Sequence, residues 1–177
     1  MLKKSLETAI NDQIQRELAS AYIYLSMAAY FEAKTLPGFA NWMRIQFHEE
    51  QFHALKFFDF VYDRGGVVKL QPIEGPPTDF TSPIDVFEQT LAHEQKVTGH
   101  INDLYTLAVE ERDYPSQSLL QWFIDEQVEE EKNAGDILDM LKMVQGNAHA
   151  LLMLDRELGA RALPPEVITG QPAAAAE

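Results

Sequence analysis

Apolar residues recur along this chain at the spacing of one helical face in four long segments. In the first, about Ser5 to Lys34, the stripe is Leu6, Ile10, Ile14, Ala21, Tyr24, Ala28 and Phe31. In the second, about Gly38 to Arg64, it is Phe39, Trp42, Met43, Phe47, Ala54, Phe57, Phe60 and Val61. The third begins at Ser82 and ends near Glu111-Arg112-Asp113-Tyr114-Pro115-Ser116, with Phe87, Leu91, Thr98, Ile101, Tyr105 and Ala108 on one side. The fourth, about Ser116 to Gly146, aligns Leu119, Trp122, Phe123, Ile137, Leu141 and Val144. A shorter fifth segment, about Ala148 to Leu158, closes at Gly159.

The punctuation between segments suits helices. Gly65-Gly66 supplies the residue type wanted just past a helix end, and Ser82-Pro83-Ile84-Asp85 offers a hydroxyl cap, a proline in the first turn and an early acid. The first and third connections are a few residues long, so helices one and two, and three and four, should be antiparallel neighbours. The middle connection, the 17 residues from Gly66 to Ser82 with three prolines, is different. Fully extended it spans roughly 56 Å, whereas a helix of about 28 residues is ~42 Å long. It can therefore run the length of the bundle and make helices two and three parallel. The expected fold is all-α: a four-helix bundle with a long crossover between helices two and three, plus a short C-terminal fifth helix. Residues 1–160 form one domain, and 161–177 read as a disordered tail with little to bury.

Every long stripe is interrupted by an acid. Glu17 lies in the middle of the first, Glu50 and His53 in the second, and Glu94 in the third. Glu126, Glu130 and Asn133 share the face of the fourth, with Glu129 at its rim. Glu17, Glu50, Glu94 and Glu130 fall close to the midpoints of their helices, so in a level bundle they meet within ~4.5 Å along the axis. Converging carboxylates in an apolar interior require compensation, because each unpaired buried charge costs several kcal/mol.

Composition narrows what compensates. Lys and Arg number 14 against 28 Asp and Glu, a formal net charge of -14, which argues against a nucleic-acid partner and is compatible with a solvated acidic surface or with cation handling. The helical cations, such as Arg16, Arg44, Lys56 and Lys132, fall mostly off the inward faces. There is no cysteine, so disulfides, thiolate zinc sites and iron-sulfur clusters are excluded. A metal remains. Carboxylates with one imidazole suit iron(II), manganese or zinc, and Glu50 and His53 at i, i+3 share one face. Glu50 can bridge two ions, with Glu17 and His53 completing one site and Glu94 and Glu130 the other.

Taken singly, these features have plainer explanations. An isolated E-x-x-H is common in helices, Glu131 in the run Val128-Glu129-Glu130-Glu131-Lys132 reads as a solvated residue, and Tyr24 and Trp122 as core aromatics. His48, His93, His100 and His149 read as surface or packing residues. The conjunction of four inward acids at one level is what favours a metal. No leader-type apolar run follows the N-terminal lysines, and the run from Ala19 to Phe31 is shorter than the ~20 residues a bilayer needs. The chain is expected in the cytoplasm, without a membrane.

The combination of Glu17 with Tyr24, Glu49-Glu50-Gln51-Phe52-His53, Glu94, Trp122 and Glu126-Gln127-Val128-Glu129-Glu130 resembles the non-haem prokaryotic ferritins over about residues 1–160. The resemblance implies a ferroxidase centre with the first iron held by Glu17, Glu50 and His53 and the second by Glu50, Glu94 and Glu130. Gln127 would line the second site. Glu49, Glu126, Glu129 and Glu130 match the ligands of a third iron in similar ferritins. Tyr24 matches the tyrosine that hydrogen-bonds near such a centre and donates an electron, with Trp122 a weaker candidate.

Related families fit less well. Bacterioferritins repeat E-x-x-H on the fourth helix and place a haem-ligating methionine after the bridging acid; here no histidine follows Glu126, and Gln51 follows Glu50. No haem is therefore expected. Rubrerythrins carry a four-cysteine module that this chain lacks, and mini-ferritins lack the fifth helix. The expected activity is oxidation of Fe(II) by dioxygen or peroxide with storage as a ferric mineral, in a homo-oligomeric shell of 24 subunits by resemblance. The alternatives are a storage subunit without oxidation, or a di-metal oxidase or peroxidase that forms no shell. Ile45, Phe52, Leu55 and Phe58 lie outside the second helix's inward stripe and are expected to be covered by another copy.

Overall fold

A computed structural model describes residues 1–169. Its helices are α1 (Lys4–Ala33), α2 (Pro37–Asp63), α3 (Pro83–Glu110), α4 (Tyr114–Met143), α5 (Ala148–Leu158) and α6 (Pro165–Thr169). The boundaries follow the capping chemistry. Ser82 accepts from the Asp85 amide at 3.1 Å ahead of Pro83, and Asp113 accepts from the Ser116 amide at 3.0 Å ahead of α4. Asn147 accepts from the Ala150 amide at 3.1 Å to start α5. Gly65 leaves α2 with φ +70°, in the left-handed region where an absent Cβ removes the steric cost.

α1 packs along α2 and α3 along α4, the two antiparallel pairs that short connections require. The crossover from 64 to 82 lies along α1. Near its start Asn11 Nδ2 donates to the Val67 carbonyl at 3.1 Å, and farther on Ser26 Oγ donates to the Pro77 carbonyl at 2.6 Å. Phe80 then meets the Tyr30 ring at 5.5 Å. The chain thus climbs from the N-terminal to the C-terminal end of α1 before starting α3, which makes α2 and α3 parallel.

Two apolar clusters fill the bundle, one toward each end. Tyr24, Phe31, Phe39, Met43, Phe87 and Leu141 belong to the first; Leu6, Ile10, Phe57, Val61, Ile101 and Phe123 belong to the second. Each long helix passes from one cluster to the other. Glu17, Glu50, Glu94 and Glu130 lie in the passage, each within three residues of its helix midpoint. The core is therefore two hydrophobic plugs with a polar layer between them.

Two expectations change. Ile45 and Phe52 are 4% and 9% exposed within a single chain, so they need no second copy to cover them, whereas Leu55 at 58% remains open. Phe52 packs edge-on against Trp122 at 6.1 Å. The segment after residue 160 is also not free over its described part: Arg161 bonds to α2, and α6 packs near it. Residues 170–177, the remainder of the expected tail, lie outside the described residues. No described helix is long and apolar enough to cross a membrane.

Candidate metal centre

In the polar layer Glu17, Glu50, Glu94 and Glu130 are 1%, 2%, 1% and 5% exposed, too little for water to stabilise four negative charges. Glu17, Glu50 and His53 each present a ligand atom within 4.8 Å of the others. His53 Nδ1 stands 3.8 Å from Glu50 Oε2. Among the described residues, no second group of three acids or histidines meets that spacing. Glu94 and Glu130 share the layer, but their oxygens are turned to other donors.

Those donors form a regular scheme in which an amide holds one oxygen of an acid. Gln13 Nε2 donates to Glu17 Oε1 at 2.9 Å, one turn away on α1. Gln46 Nε2 donates to Glu130 Oε2 at 2.7 Å, and Gln127 Nε2 to Glu94 Oε2 at 3.2 Å. The Tyr24 hydroxyl donates to the other oxygen, Glu94 Oε1. Oε2 of Glu50 is the exception: it is buried and has no hydrogen-bond partner. An orphaned carboxylate oxygen beside an imidazole and a second acid fits a cation, whose coordination would supply the missing interaction.

The electrostatics agree with the geometry. Burial first, and then repulsion from Glu50, pushes the Glu17 carboxyl well above the usual carboxylate range. Glu50 is raised in the same way by burial and then by Glu94. Glu130 is pushed to about 8, by burial and then by Glu94. Burial and Glu94 also push Tyr24 well above the ordinary phenol value, which keeps its hydroxyl proton on the donor side. Without a cation, Glu17, Glu50 and Glu130 thus hold their protons beyond the usual carboxylate range and would surrender them to a metal.

Glu49, Glu126, Glu129 and Glu130 line a cavity of about 80 Å³ on the outer side of this layer, together with His53 and Trp122. They are not equivalent. Glu129 stands exposed at the mouth and Glu126 is half-buried. Glu49 is buried and is gripped by Arg161, whose Nη2 donates to its two oxygens at 3.0 and 2.8 Å. Burial raises the Glu49 carboxyl and the guanidinium partly opposes it. Trp122 is half-buried, with the Lys56 ammonium 4.0 Å from its ring centre.

Several participants were not singled out by the sequence reading. Gln13 stands four residues before Glu17, a spacing at which a polar partner one turn upstream is legible, whereas Gln46 reaches Glu130 on α4, 84 residues away, which no local spacing shows. Glu131, read as solvated, instead accepts from Thr98 Oγ1 at 2.5 Å, and Gln127 donates to that hydroxyl at 3.3 Å. His93 is a packing residue: it bonds Ser20 Oγ at 2.8 Å and meets the Tyr24 ring edge-on at 6.1 Å. Arg161, 112 residues from Glu49, carried no signal at all.

The architecture and its interior layer define a carboxylate-lined helical bundle whose Glu17, Glu50 and His53 could hold a metal ion. The chain belongs to the ferritin family, on its non-haem prokaryotic side: the family described as "Ferritin-like domain" matches residues 7–144. A bacterial non-heme ferritin of Staphylococcus aureus is 37% identical over 166 residues, 94% of this chain and 100% of the relative. One from Staphylococcus haemolyticus is 39% identical over the same shares. Among solved structures, the open pore ferritin of Archaeoglobus fulgidus is 46% identical and superposes with a TM-score of 0.91, covering 92% of this chain and 100% of that one.

Proposed function

We propose that this ferritin stores iron and oxidises it at the interior layer, binding Fe(II) as a pair and passing Fe(III) to a mineral inside a closed homo-oligomeric shell. The observation that carries this is the orphaned Oε2 of Glu50, buried between Glu17 and His53 and within electrostatic reach of Glu94 and Glu130. Iron here is substrate and cargo. Glu17, Glu50 and His53 hold the first ion; Glu50, Glu94 and Glu130 hold the second, with Glu50 as the bridge. Glu49, Glu126, Glu129 and Glu130 form a third station on the way out.

The chain's own part in the reaction is positioning and proton handling. Carboxyls raised by burial release protons as cations arrive, so the layer exchanges proton charge for metal charge without leaving net charge unpaired. Hard carboxylate oxygens favour Fe(III) over Fe(II), and this helps dioxygen or peroxide to take one electron from each ion. Tyr24 steadies Glu94 through its hydroxyl and is the nearest candidate donor of an additional electron. Gln127 holds the opposite oxygen of Glu94.

Storage needs an enclosed volume, and the family resemblance supports a shell of 24 subunits in the cytoplasm. Leu55, Tyr62, Tyr22 and Leu25 leave apolar surface open on the outer sides of α1 and α2, which a neighbouring copy would bury. Size-exclusion chromatography with iron staining, paired with Fe(II)-dependent oxygen consumption, tests the whole reading. A large iron-staining particle whose oxygen uptake disappears in Glu50→Ala and His53→Ala is the expected result. A small oligomer with oxidase activity would point to the shell-free di-metal enzyme instead, and a large particle without oxygen uptake to storage alone.

A further inference from the structure

The acidic cavity beside the interior layer already contains a cation, and it belongs to the protein. Arg161 lies in the segment between α5 and α6, which closes one wall of the cavity with Pro164 and Val167. Its guanidinium makes three bonds into α2. Nη2 donates to both oxygens of Glu49 at 3.0 and 2.8 Å, and Nη1 donates to Gln46 Oε1 at 2.5 Å. The far end of Gln46 donates to Glu130 Oε2 at 2.7 Å. One side chain therefore commits an oxygen-bearing group on each side: Glu49 directly, and Glu130 through the Gln46 amide.

Both bonds act in the same direction. Each oxygen of Glu49 accepts one bond from Nη2 and its charge is neutralised by the guanidinium, and one oxygen of Glu130 is likewise committed, to Gln46. The arginine is also held from outside the cavity. Its guanidinium lies 4.9 Å from the Trp42 ring centre, and Asn41 Nδ2 donates to its backbone carbonyl at 3.1 Å. The carbonyl bond ties the backbone at 161 to α2, whereas the Trp42 ring holds the guanidinium itself, so displacing the guanidinium from Glu49 loosens the attachment of the segment to α2. A multivalent cation in the cavity and the guanidinium on Glu49 compete for the same oxygens.

We propose that Arg161 is a latch on the third cation station: a positioning residue that holds Glu49, and Glu130 through Gln46, and that a metal cation must displace to occupy the cavity. The proposal rests on the reading of that cavity as a cation station given above. Its consequence is that cation occupancy is coupled to the chain from 161 to 169. Iron leaving the inner pair meets a site that is closed until the guanidinium yields, and release of that one side chain frees Glu49 and Gln46 together.

The test uses the full-length assembled protein and Tb(III), whose luminescence is sensitised by a nearby indole; Trp122 lines the cavity. Wild type is compared with Arg161→Gln, which removes the charge, Arg161→Lys, which keeps it, and Glu129→Gln, which removes an acid from the mouth. Arg161→Gln is expected to bind Tb(III) in the cavity about tenfold more tightly, a difference of one decade in Kd. Arg161→Lys should return toward wild type, a rescue that a loss of packing would not give. In wild type, Tb(III) should also raise amide hydrogen exchange over 161–169, which keeps the proposal testable even if the variants fold poorly. Unchanged or weaker Tb(III) binding in Arg161→Gln, with binding still sensitive to Glu129→Gln, would overturn the latch and leave the third station standing. Indole-sensitised binding that ignores Glu129→Gln in every protein would overturn both.

Discussion

Glu50 and His53 stand one helical turn apart with 3.8 Å between Oε2 and Nδ1, and nothing completes the hydrogen bonding of that oxygen. The protein therefore carries an unsatisfied buried acceptor, which costs about 1 to 3 kcal/mol. Glu50→Gln keeps the volume and removes the ionisable group. It is expected to leave the cation-free protein as stable as wild type or more so, while weakening zinc binding at the inner pair by at least about a hundredfold. Differential scanning calorimetry and zinc titration read the two effects, and a destabilised variant with unchanged zinc affinity would remove Glu50 from the bridge.

The Tyr24 hydroxyl and Glu94 give a prediction of a different form. Tyr24→Phe leaves a carboxylate oxygen at 1% exposure without its donor and should cost about 1 to 3 kcal/mol in the cation-free protein. If Glu94 is a ligand, bound zinc takes over that oxygen and most of the penalty vanishes. Thermal unfolding with and without zinc separates the cases. An equal penalty in both would mean that Glu94 bonds Tyr24 only.

The raised carboxyls set a pH dependence. A carboxyl whose value is higher folded than unfolded keeps its proton longer in the folded state, so stability is lost as pH rises from the ordinary 4.5 to the folded value, about 8 for Glu130. His93 and His100, lowered by burial, act oppositely, but only below the ordinary histidine value of 6.5. The Asp113 carboxyl, held down by Arg64 through paired 2.8 Å bonds, contributes only in strong acid. Between 6.5 and about 8 the melting temperature of the cation-free protein should therefore fall with rising pH. Zinc should flatten the slope, and Glu130→Gln should reduce it without metal. A Tm that climbs across this interval would contradict the burial of protonated acids.

α5 is attached by a contact that tolerates no added atom. Asp155 accepts from the amides of Gly38 and Phe39 at 2.8 and 3.0 Å, capping α2 from another helix. A Cβ on Gly38 would fall 1.6 Å from the Asp155 carbonyl oxygen. Gly38→Ala should cost about 2 to 4 kcal/mol and raise hydrogen exchange in α5. At Gly135, inside α4, a Cβ meets nothing within 4 Å, and the same substitution should stabilise by about 0.5 to 1 kcal/mol. Opposite signs for one chemical change are the check, read from melting curves of the two variants.

Much of this was legible in advance because it is local. A 3.6-residue period shows which face of α1 is buried, and Glu17 breaks that period whatever surrounds it. A fixed rise per residue gives heights, so Glu17, Glu50, Glu94 and Glu130 could be levelled without knowing the packing. Phe52 departs from expectation for the complementary reason: periodicity identifies the innermost stripe, while Trp122 on another helix decides that this flank is covered.

The sequence by itself determined the four long helices, the Ser82 cap of α3, the direction of the crossover and the inward acids, since each follows from residues within a turn or two or from chain length. Only the tertiary structure decided how the oxygens of those acids are shared out. Tyr24 and Gln127 take both oxygens of Glu94, Gln46 takes one of Glu130, and Arg161 closes on Glu49 from 112 residues away, leaving Oε2 of Glu50 open. Hydrogen bonds form over about 3 Å and depend on side chains brought together by the whole fold, a distance no periodic pattern can resolve.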